Sequence, residues 1–131
     1  MLYLIVFLGA GIGGALRHGV NGLALRLAGP DFPYGTMIVN IVGSLLMGLI
    51  AGYFTFRGGE GVFGQMSQHW RLFLTTGVLG GFTTFSAFSL DFAMLWERGA
   101  MAGAAGYVAV AVAGSLVAGF VALAAAKTVW G

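Results

Sequence analysis

Residues 75–89 read Thr75-Thr76-Gly77-Val78-Leu79-Gly80-Gly81-Phe82-Thr83-Thr84-Phe85-Ser86-Ala87-Phe88-Ser89, and this stretch decides the fold. It lies in a mostly apolar run longer than the roughly 20 residues that cross a bilayer. A glycine pair followed by two β-branched threonines is poor helix material. Interrupted backbone at that depth occurs only where it is buried in protein or lines a cavity, and its freed carbonyls can bind a cation. The stretch therefore predicts a membrane-spanning helix that is broken at mid-membrane.

The composition of the whole chain also indicates a membrane protein. Of 131 residues, 59% are hydrophobic and only 8% are charged, against about 25% charged in typical soluble proteins. The mean hydropathy is +0.94. Disordered chains are poor in apolar residues, and the two prolines with irregularly spaced glycines exclude collagen. The solvent of this chain is therefore the bilayer.

The apolar stretches predict an all-α integral membrane protein with one domain, residues 1–131. The four predicted spans are residues 2–27, 34–56, 72–96 and 100–129. Both prolines fall in the loop at 29–33, and residues 57–71, which include Gly58, Gly59 and Glu60, form the polar loop. The N-terminal segment is interpreted as the first span, because a signal peptide would begin with a positively charged region. Tryptophans near predicted span ends favour the membrane interface; they are Trp70, Trp96 and Trp130.

Small residues recur four positions apart along the spans, and this spacing lets membrane helices approach closely. The pairs are Gly9/Gly13, Gly48/Gly52, Gly77/Gly81, Gly99/Gly103 and Ser115/Gly119. Together they favour tight helix packing.

The basic residues are divided almost evenly between the two sides of the membrane. One side carries Arg57, Arg71 and Lys127, and the other carries Arg26 and Arg98, with Arg17 if its side chain extends that way. An excess of Lys and Arg on one side normally sets topology. Two interpretations stay open: insertion in both orientations with antiparallel pairing, or a weak bias resolved by another signal.

The absence of certain residue types argues against several classes of function. There is no Cys, so thiolate metal sites and disulfides are excluded. No Lys/Arg cluster offers nucleic acid an electrostatic footprint. His18 and His69 stand without a catalytic partner, which argues against an enzyme.

Polar residues inside the spans are the functional candidates, because burying them in lipid is costly. Thr36, Asn40 and Ser44 share one face of the second span, since they are spaced at i, i+4 and i+8. Interhelical hydrogen bonding is the ordinary explanation for such residues, whereas a mid-span Asn favours a lined cavity. On the fourth span, Tyr107 and Ser115 share a face in the same way.

Arg17 and a row of phenylalanines add a possible anion path. The guanidinium either reaches the interface along its apolar stem or faces a water-filled vestibule, where it attracts anions. We favour the vestibule, because no carboxylate in that span neutralises the charge. Phe82, Phe85, Phe88 and Phe92 follow with helical spacing. Such a row is often simple packing, but electropositive ring edges between Ser and Thr donors could hold a small dehydrated anion.

Three motifs resemble the Fluc (CrcB) family of fluoride channels. They are Gly35-Thr36-Met37-Ile38-Val39-Asn40 with Gly43-Ser44, Gly80-Gly81-Phe82-Thr83-Thr84-Phe85-Ser86-Ala87-Phe88-Ser89, and Gly13-Gly14-Ala15-Leu16-Arg17. The resemblance covers all four spans in order and length, and the string at 80–89 is highly specific.

The resemblance implies a passive fluoride exporter of the inner or plasma membrane. The protein would be an antiparallel, dual-topology homodimer with two pores, and its partners would be a second copy, fluoride and the lipid bilayer, with no nucleic acid. A structural sodium ion, Na+, would lie at the dimer centre. The backbone carbonyls of Gly80 and Thr83 from both subunits would hold it.

The resemblance also implies roles for single side chains. Phe85 and Phe88 would contact fluoride, Asn40 would be the pore-lining amide, and Ser86 would donate near the pore. The polar track would contain Thr36, Tyr107 and Ser115, and Arg17 would lie at the aqueous vestibule.

Three positions depart from the family's pattern. Ala87 stands where Thr is frequent, and Ala111 stands where a hydroxyl is frequent, so each removes a possible donor. Asp91 falls where many members carry Glu, and we expect it near the pore mouth or a helix end.

Two other classes remain in competition. A small multidrug-type antiporter is also a compact four-helix protein, but it needs a membrane-embedded carboxylate, and Asp91 and Glu97 lie toward the end of the third span. A non-transporting assembly subunit explains the glycine pairs but not a broken, polar third span.

Overall fold

The computed structural model describes residues 1–57 and 62–131, which are helical apart from short turns. The elements are α1 (Leu2–Ala28), α2 (Tyr34–Arg57), α3 (Val62–Leu72), a π-helical segment (Phe73–Leu79), α4 (Gly80–Phe82), α5 (Phe85–Glu97) and α6 (Met101–Trp130). Four of the helical stretches are long and apolar enough to cross a membrane: Leu2–Ala28, Tyr34–Arg57, Ser67–Glu97 and Met101–Trp130. The prediction of an all-α, four-span membrane protein is therefore confirmed. Gly58, Gly59 and Glu60 of the predicted polar loop lie outside the described residues.

Two turns at the same end of the molecule reverse the chain. Gly29 ends α1 with a φ of 79° and donates its N–H to the Leu25 carbonyl at 3.0 Å. Gly99 has a φ of 78° between α5 and α6. A positive φ is easily reached only by glycine, so both residues suit these turns. The Arg98 guanidinium donates to the Asp31 carbonyl at 2.6 Å, which joins the two turns.

The third span differs from its prediction at its beginning. Residues 57–71 were expected to form a polar loop, with the span beginning at 72. That prediction is wrong in its second half, because α3 is already helical from Val62 and the apolar span begins at Ser67. Polar side chains indicate contact with water, but without proline they do not prevent a helix.

The break in the third span lies at the two threonines of the predicted stretch, while the glycine pair before them stays helical. Thr83 and Thr84 adopt extended backbone angles, with φ/ψ of −84°/158° and −155°/121°. Gly80 and Gly81 remain helical within α4. The π-helical segment Phe73–Leu79, which was not predicted, precedes them. The break is therefore real, and it lies three residues beyond the start of the glycine pair.

Glycines allow the third span to lie against α1. A Cβ atom on Gly9 would lie 2.9 Å from the Gly77 Cα atom, and one on Gly81 would lie 2.9 Å from the Ala10 Cα atom. A Cβ atom on Gly13 would overlap the Val78 carbonyl. The pairs Gly9/Gly13 and Gly77/Gly81 thus occupy a backbone-to-backbone contact.

Glycines also allow α2 to approach α6. A Cβ atom on Gly48 would lie 2.8 Å from the Ala122 Cβ atom, and one on Gly52 would overlap the Ala126 side chain. The pair Gly99/Gly103 does not pack between helices, because Gly99 has nothing within 4 Å and Gly103 contacts only Ala100. The expectation of tight packing was therefore wrong for that pair.

Candidate functional site

The broken segment is attached to α2 through a single side chain. The Asn40 amide donates from Nδ2 to the Thr84 carbonyl at 2.9 Å, and its Oδ1 accepts the Thr84 N–H at 2.8 Å. An amide NH2 group has two donors, so one N–H of Asn40 is left over from this pairing. Asn40 thereby satisfies the backbone of the break and still has a donor for another partner.

The same bonds release two carbonyls from the helical ladder. In a continuous α-helix, the N–H of residue 84 would bond the carbonyl of residue 80, and that of residue 87 the carbonyl of residue 83. Here the Thr84 N–H bonds Asn40, and the Ala87 N–H bonds the Thr84 hydroxyl at 3.1 Å. These two bonds free the carbonyls of Gly80 and Thr83, the pair that the resemblance assigns to sodium. The carbonyls of Gly81 and Phe82 likewise accept no N–H from the described residues of α5.

Neutral carbonyl oxygens suit a hard cation, and thus the donor type fits the sodium ion that the resemblance implies. Arg17 contacts one of these carbonyls, because its Nη1 atom lies 3.4 Å from the Thr83 carbonyl oxygen. The guanidinium therefore contacts the break. Its predicted position in an aqueous vestibule stays a prediction.

A groove of about 650 Å³ lies between α2, α6 and the break. Four of the predicted pore residues line it: Asn40, Phe85, Phe88 and Ser115. The Ser115 hydroxyl is buried and has no hydrogen-bond partner within the described part of the chain. Ala111 also lines the groove, where its methyl group offers no donor. The groove therefore combines uncharged donors with aromatic rings.

An aromatic row leads out of this groove. Phe85 is 77% exposed, and its ring centroid lies 5.5 Å from that of Phe88. Phe88 in turn packs on Tyr107 at 5.1 Å. Tyr107 has no exposed surface, and Thr36 is only 6% exposed. The predicted track thus continues from the groove into the interior between α2 and α6.

A second cavity of about 400 Å³ lies at the end of the molecule that carries the two turns, and Thr36 and Asp91 are among its lining residues. The Tyr107 hydroxyl donates to the Asp91 carboxylate at 3.1 Å. Asp91 lies in the middle of α5 rather than at a helix end, and its expected position near the pore mouth stays a prediction. A carboxylate beside a predicted anion ligand is the feature that the sequence reasoning missed, although an acidic residue inside a span was a signal for it.

Three predicted pore residues lie outside the groove lining: Thr36, Tyr107 and Ser86. The exposed Ser86 hydroxyl lies 3.2 Å from the Thr84 hydroxyl, next to the break. Among residues 1–57 and 62–131, no group of three His, Asp or Glu side chains is arranged to hold a metal ion. Any cation at the break would therefore depend on backbone oxygens.

The fold and the site together define a small polytopic helical membrane protein whose broken third span lies beside a groove lined by polar and aromatic side chains. The family model described as CrcB-like protein, Camphor Resistance (CrcB), matches residues 4–124. The chain therefore belongs to the CrcB family, the Fluc family of fluoride channels that its motifs resemble. This is a family of channels, and the protein is not an enzyme.

Curated relatives are similar over most of their length. A protein of Methylobacterium nodulans named fluoride-specific ion channel FluC is 63% identical over 113 residues, which cover 86% of each chain. A protein of Rhodopseudomonas palustris (strain BisB5) with the same name is 58% identical over 87% of this chain and 90% of the relative. A third, from Mesorhizobium japonicum, is 53% identical over 92% of this chain and 91% of the relative.

Proposed function

We propose that this protein is a fluoride-selective channel through which the anion leaves the cell passively. The observation that carries the proposal is the groove at the break, where Asn40, Ser115 and the two phenylalanines Phe85 and Phe88 meet without a formal charge in the lining. Hydroxyl, amide and ring-edge donors can replace the tight hydration shell of a small anion in a narrow path. The names of the relatives agree with this function.

The decisive test is efflux from liposomes loaded with fluoride or with chloride. Purified protein should release fluoride rapidly and chloride at the rate of protein-free liposomes. Equal rates for the two anions, or no fluoride release, would overturn the proposal. The antiporter and the assembly subunit both predict no selective fluoride efflux, so the same assay separates them from the channel.

The functional unit in this proposal is an antiparallel homodimer with two pores in the inner or plasma membrane. Support comes from the nearly balanced basic residues and from Phe85, which leaves its ring exposed at the edge of the groove. A tag at the C-terminus should be accessible from both sides of the membrane. Accessibility from one side only would contradict dual topology, and a monomer in mild detergent would contradict the dimer.

A structural sodium ion is part of the same proposal. The carbonyls of Gly80 and Thr83 would hold it, with the same pair from the second subunit. The ion would be coordinated by neutral carbonyl oxygens of both broken helices, and its positive charge would hold the two subunits together. Replacing sodium by N-methylglucamine should lower the thermal stability and promote dissociation of the dimer, both measured without any transport assay. Unchanged stability and association would argue against the ion.

A further inference from the structure

The groove contains a hydroxyl to which neither the family resemblance nor the clamp at the break gives a role. Ser44 lies one helical turn beyond Asn40 on the same face of α2, and it lines the groove together with Ser115. We propose that Ser44 is a further anion-binding residue, which forms a two-hydroxyl subsite with Ser115. This inference rests on the proposed anion-channel function.

The packing of α2 on α6 brings Ser44 to the level of Ser115. The two helices run parallel, because Ile41 faces Gly114 and Gly48 faces the Gly119 carbonyl. A Cβ atom on Gly119 would lie 3.6 Å from the Ser44 carbonyl oxygen. Ser115 lies one turn before Gly119 on the same face of α6. The register therefore places the two serines within about one helical turn of each other in depth, and both line the same groove.

The Ser44 and Ser115 hydroxyls differ from several other Ser and Thr hydroxyls of the protein in their hydrogen-bond partners. Buried Ser and Thr side chains usually donate to the carbonyl four residues earlier in their own helix. Four hydroxyls here do so at 2.7–3.0 Å: Thr75 to Arg71, Thr83 to Leu79, Ser89 to Phe85 and Thr128 to Ala124. Within the described residues, Ser44 makes no such bond, and the Ser115 hydroxyl is buried without a partner.

A small anion is the ligand that these groups suit. A buried hydroxyl without a hydrogen-bond partner is costly, and an anion that enters the groove can accept a hydrogen bond from each of the two serine hydroxyls. Past this level the α6 wall of the groove is apolar, with Leu116, Gly119 and Leu123 in the lining. Ala111 removes a donor on the side toward Tyr107. Ser44 thus supplies from α2 a hydroxyl that α6 lacks.

The proposal predicts a specific order of efflux rates among single variants. Ser44→Ala should slow fluoride efflux from liposomes by about tenfold, which is roughly the worth of one hydrogen bond to an ion. Ser44→Thr keeps the hydroxyl and should stay within about twofold of wild type. Thr128→Ala is the control, because it removes a hydroxyl bonded to its own helix outside the groove and should leave efflux unchanged.

Two further readouts separate anion binding from a structural role. In Ser44→Ala the fluoride concentration for half-maximal efflux should rise, while the dimer elution volume and the thermal midpoint stay as in wild type. Wild-type rates in Ser44→Ala, or equal losses in Ser44→Ala and Ser44→Thr, would overturn the assignment of Ser44. A wild-type protein without selective fluoride efflux would instead overturn the proposed function itself.

Discussion

Asn40 and Thr84 are 44 residues apart in sequence, yet they form two reciprocal hydrogen bonds, at 2.9 and 2.8 Å. The side-chain amide of one helix thereby replaces the partners that the backbone of another helix loses at its break. Unpaired backbone groups are expensive at membrane depth, so the break and Asn40 depend on each other. This relationship connects the freed carbonyls on one side of the break with the groove on the other.

Removing the Asn40 amide should both destabilise the protein and stop transport. Asn40→Ala leaves the Thr84 N–H and carbonyl without partners, which should cost about 1–3 kcal/mol. Asn40→Asp keeps the acceptor for the N–H but loses the donor and adds a charge that repels an anion. We expect Asn40→Asp to be more stable than Asn40→Ala and equally inactive, as measured by thermal unfolding in detergent and by fluoride efflux.

Asn21→Ala is the matched control for the stability measurement. The Asn21 Oδ1 atom is buried without a hydrogen-bond partner in the described residues, so truncating this amide removes no bond to its oxygen. It should lower the thermal midpoint less than Asn40→Ala does. Equal midpoints for Asn40→Ala and wild type would contradict the clamp.

The sequence predicts the break within residues 80–84, but not at which of these residues it lies. Helix propensity disfavours both the glycine pair and the two β-branched threonines, and it does not choose between them. The structure keeps both glycines helical and breaks at Thr83 and Thr84, because Asn40 can satisfy the backbone only there. A contact between distant parts of the chain decides the position, and local propensity carries no information about it. The π-helical turn before the break likewise has no local signal.

The two phenylalanines at the groove should be essential for transport and dispensable for folding. Phe85→Ile and Phe88→Ile remove ring edges while keeping an apolar side chain, and we expect fluoride efflux to fall to background. Phe85 is 77% exposed, so its replacement should not alter the thermal midpoint of the chain. Phe7→Ile is the control, because Phe7 is 72% exposed on α1 and should transport normally. Undiminished efflux in both groove variants would refute their roles.

Close backbone contact between α1 and the third span should make one glycine irreplaceable. A Cβ atom on Gly13 would overlap the Val78 carbonyl and would lie 2.8 Å from the Phe82 N atom. Gly13→Ala should therefore destabilise the protein by about 1–3 kcal/mol, as overpacking typically does. Gly11→Ala meets nothing within 4 Å, and alanine is the better helix former. Thermal unfolding should thus separate the two variants, and similar midpoints would show that the interface is looser than described.

The candidate site was predicted only in part. The structure brings Asn40, Phe85 and Phe88 of two motifs to one groove, while their roles as fluoride ligands stay predictions. The motifs did not indicate that the Tyr107 hydroxyl would donate a hydrogen bond to the Asp91 carboxylate. That hydrogen bond depends on how α5 lies against α6. The apolar sequences of the two helices do not determine how each helix is rotated about its own axis.

Asp91 should slow anion passage through its charge while supporting Tyr107 through its hydrogen bond. Asp91→Asn keeps an oxygen acceptor for the Tyr107 hydroxyl and removes the negative charge beside the second cavity. We expect fluoride efflux to rise, by roughly tenfold for each 1.4 kcal/mol of repulsion removed, with an unchanged thermal midpoint. Tyr107→Phe instead removes the hydroxyl and leaves the carboxylate without this donor, so it should lower both stability and efflux. If Asp91→Asn slowed efflux as much as Tyr107→Phe does, the carboxylate would be a required part of the path, and the anion would pass with its help.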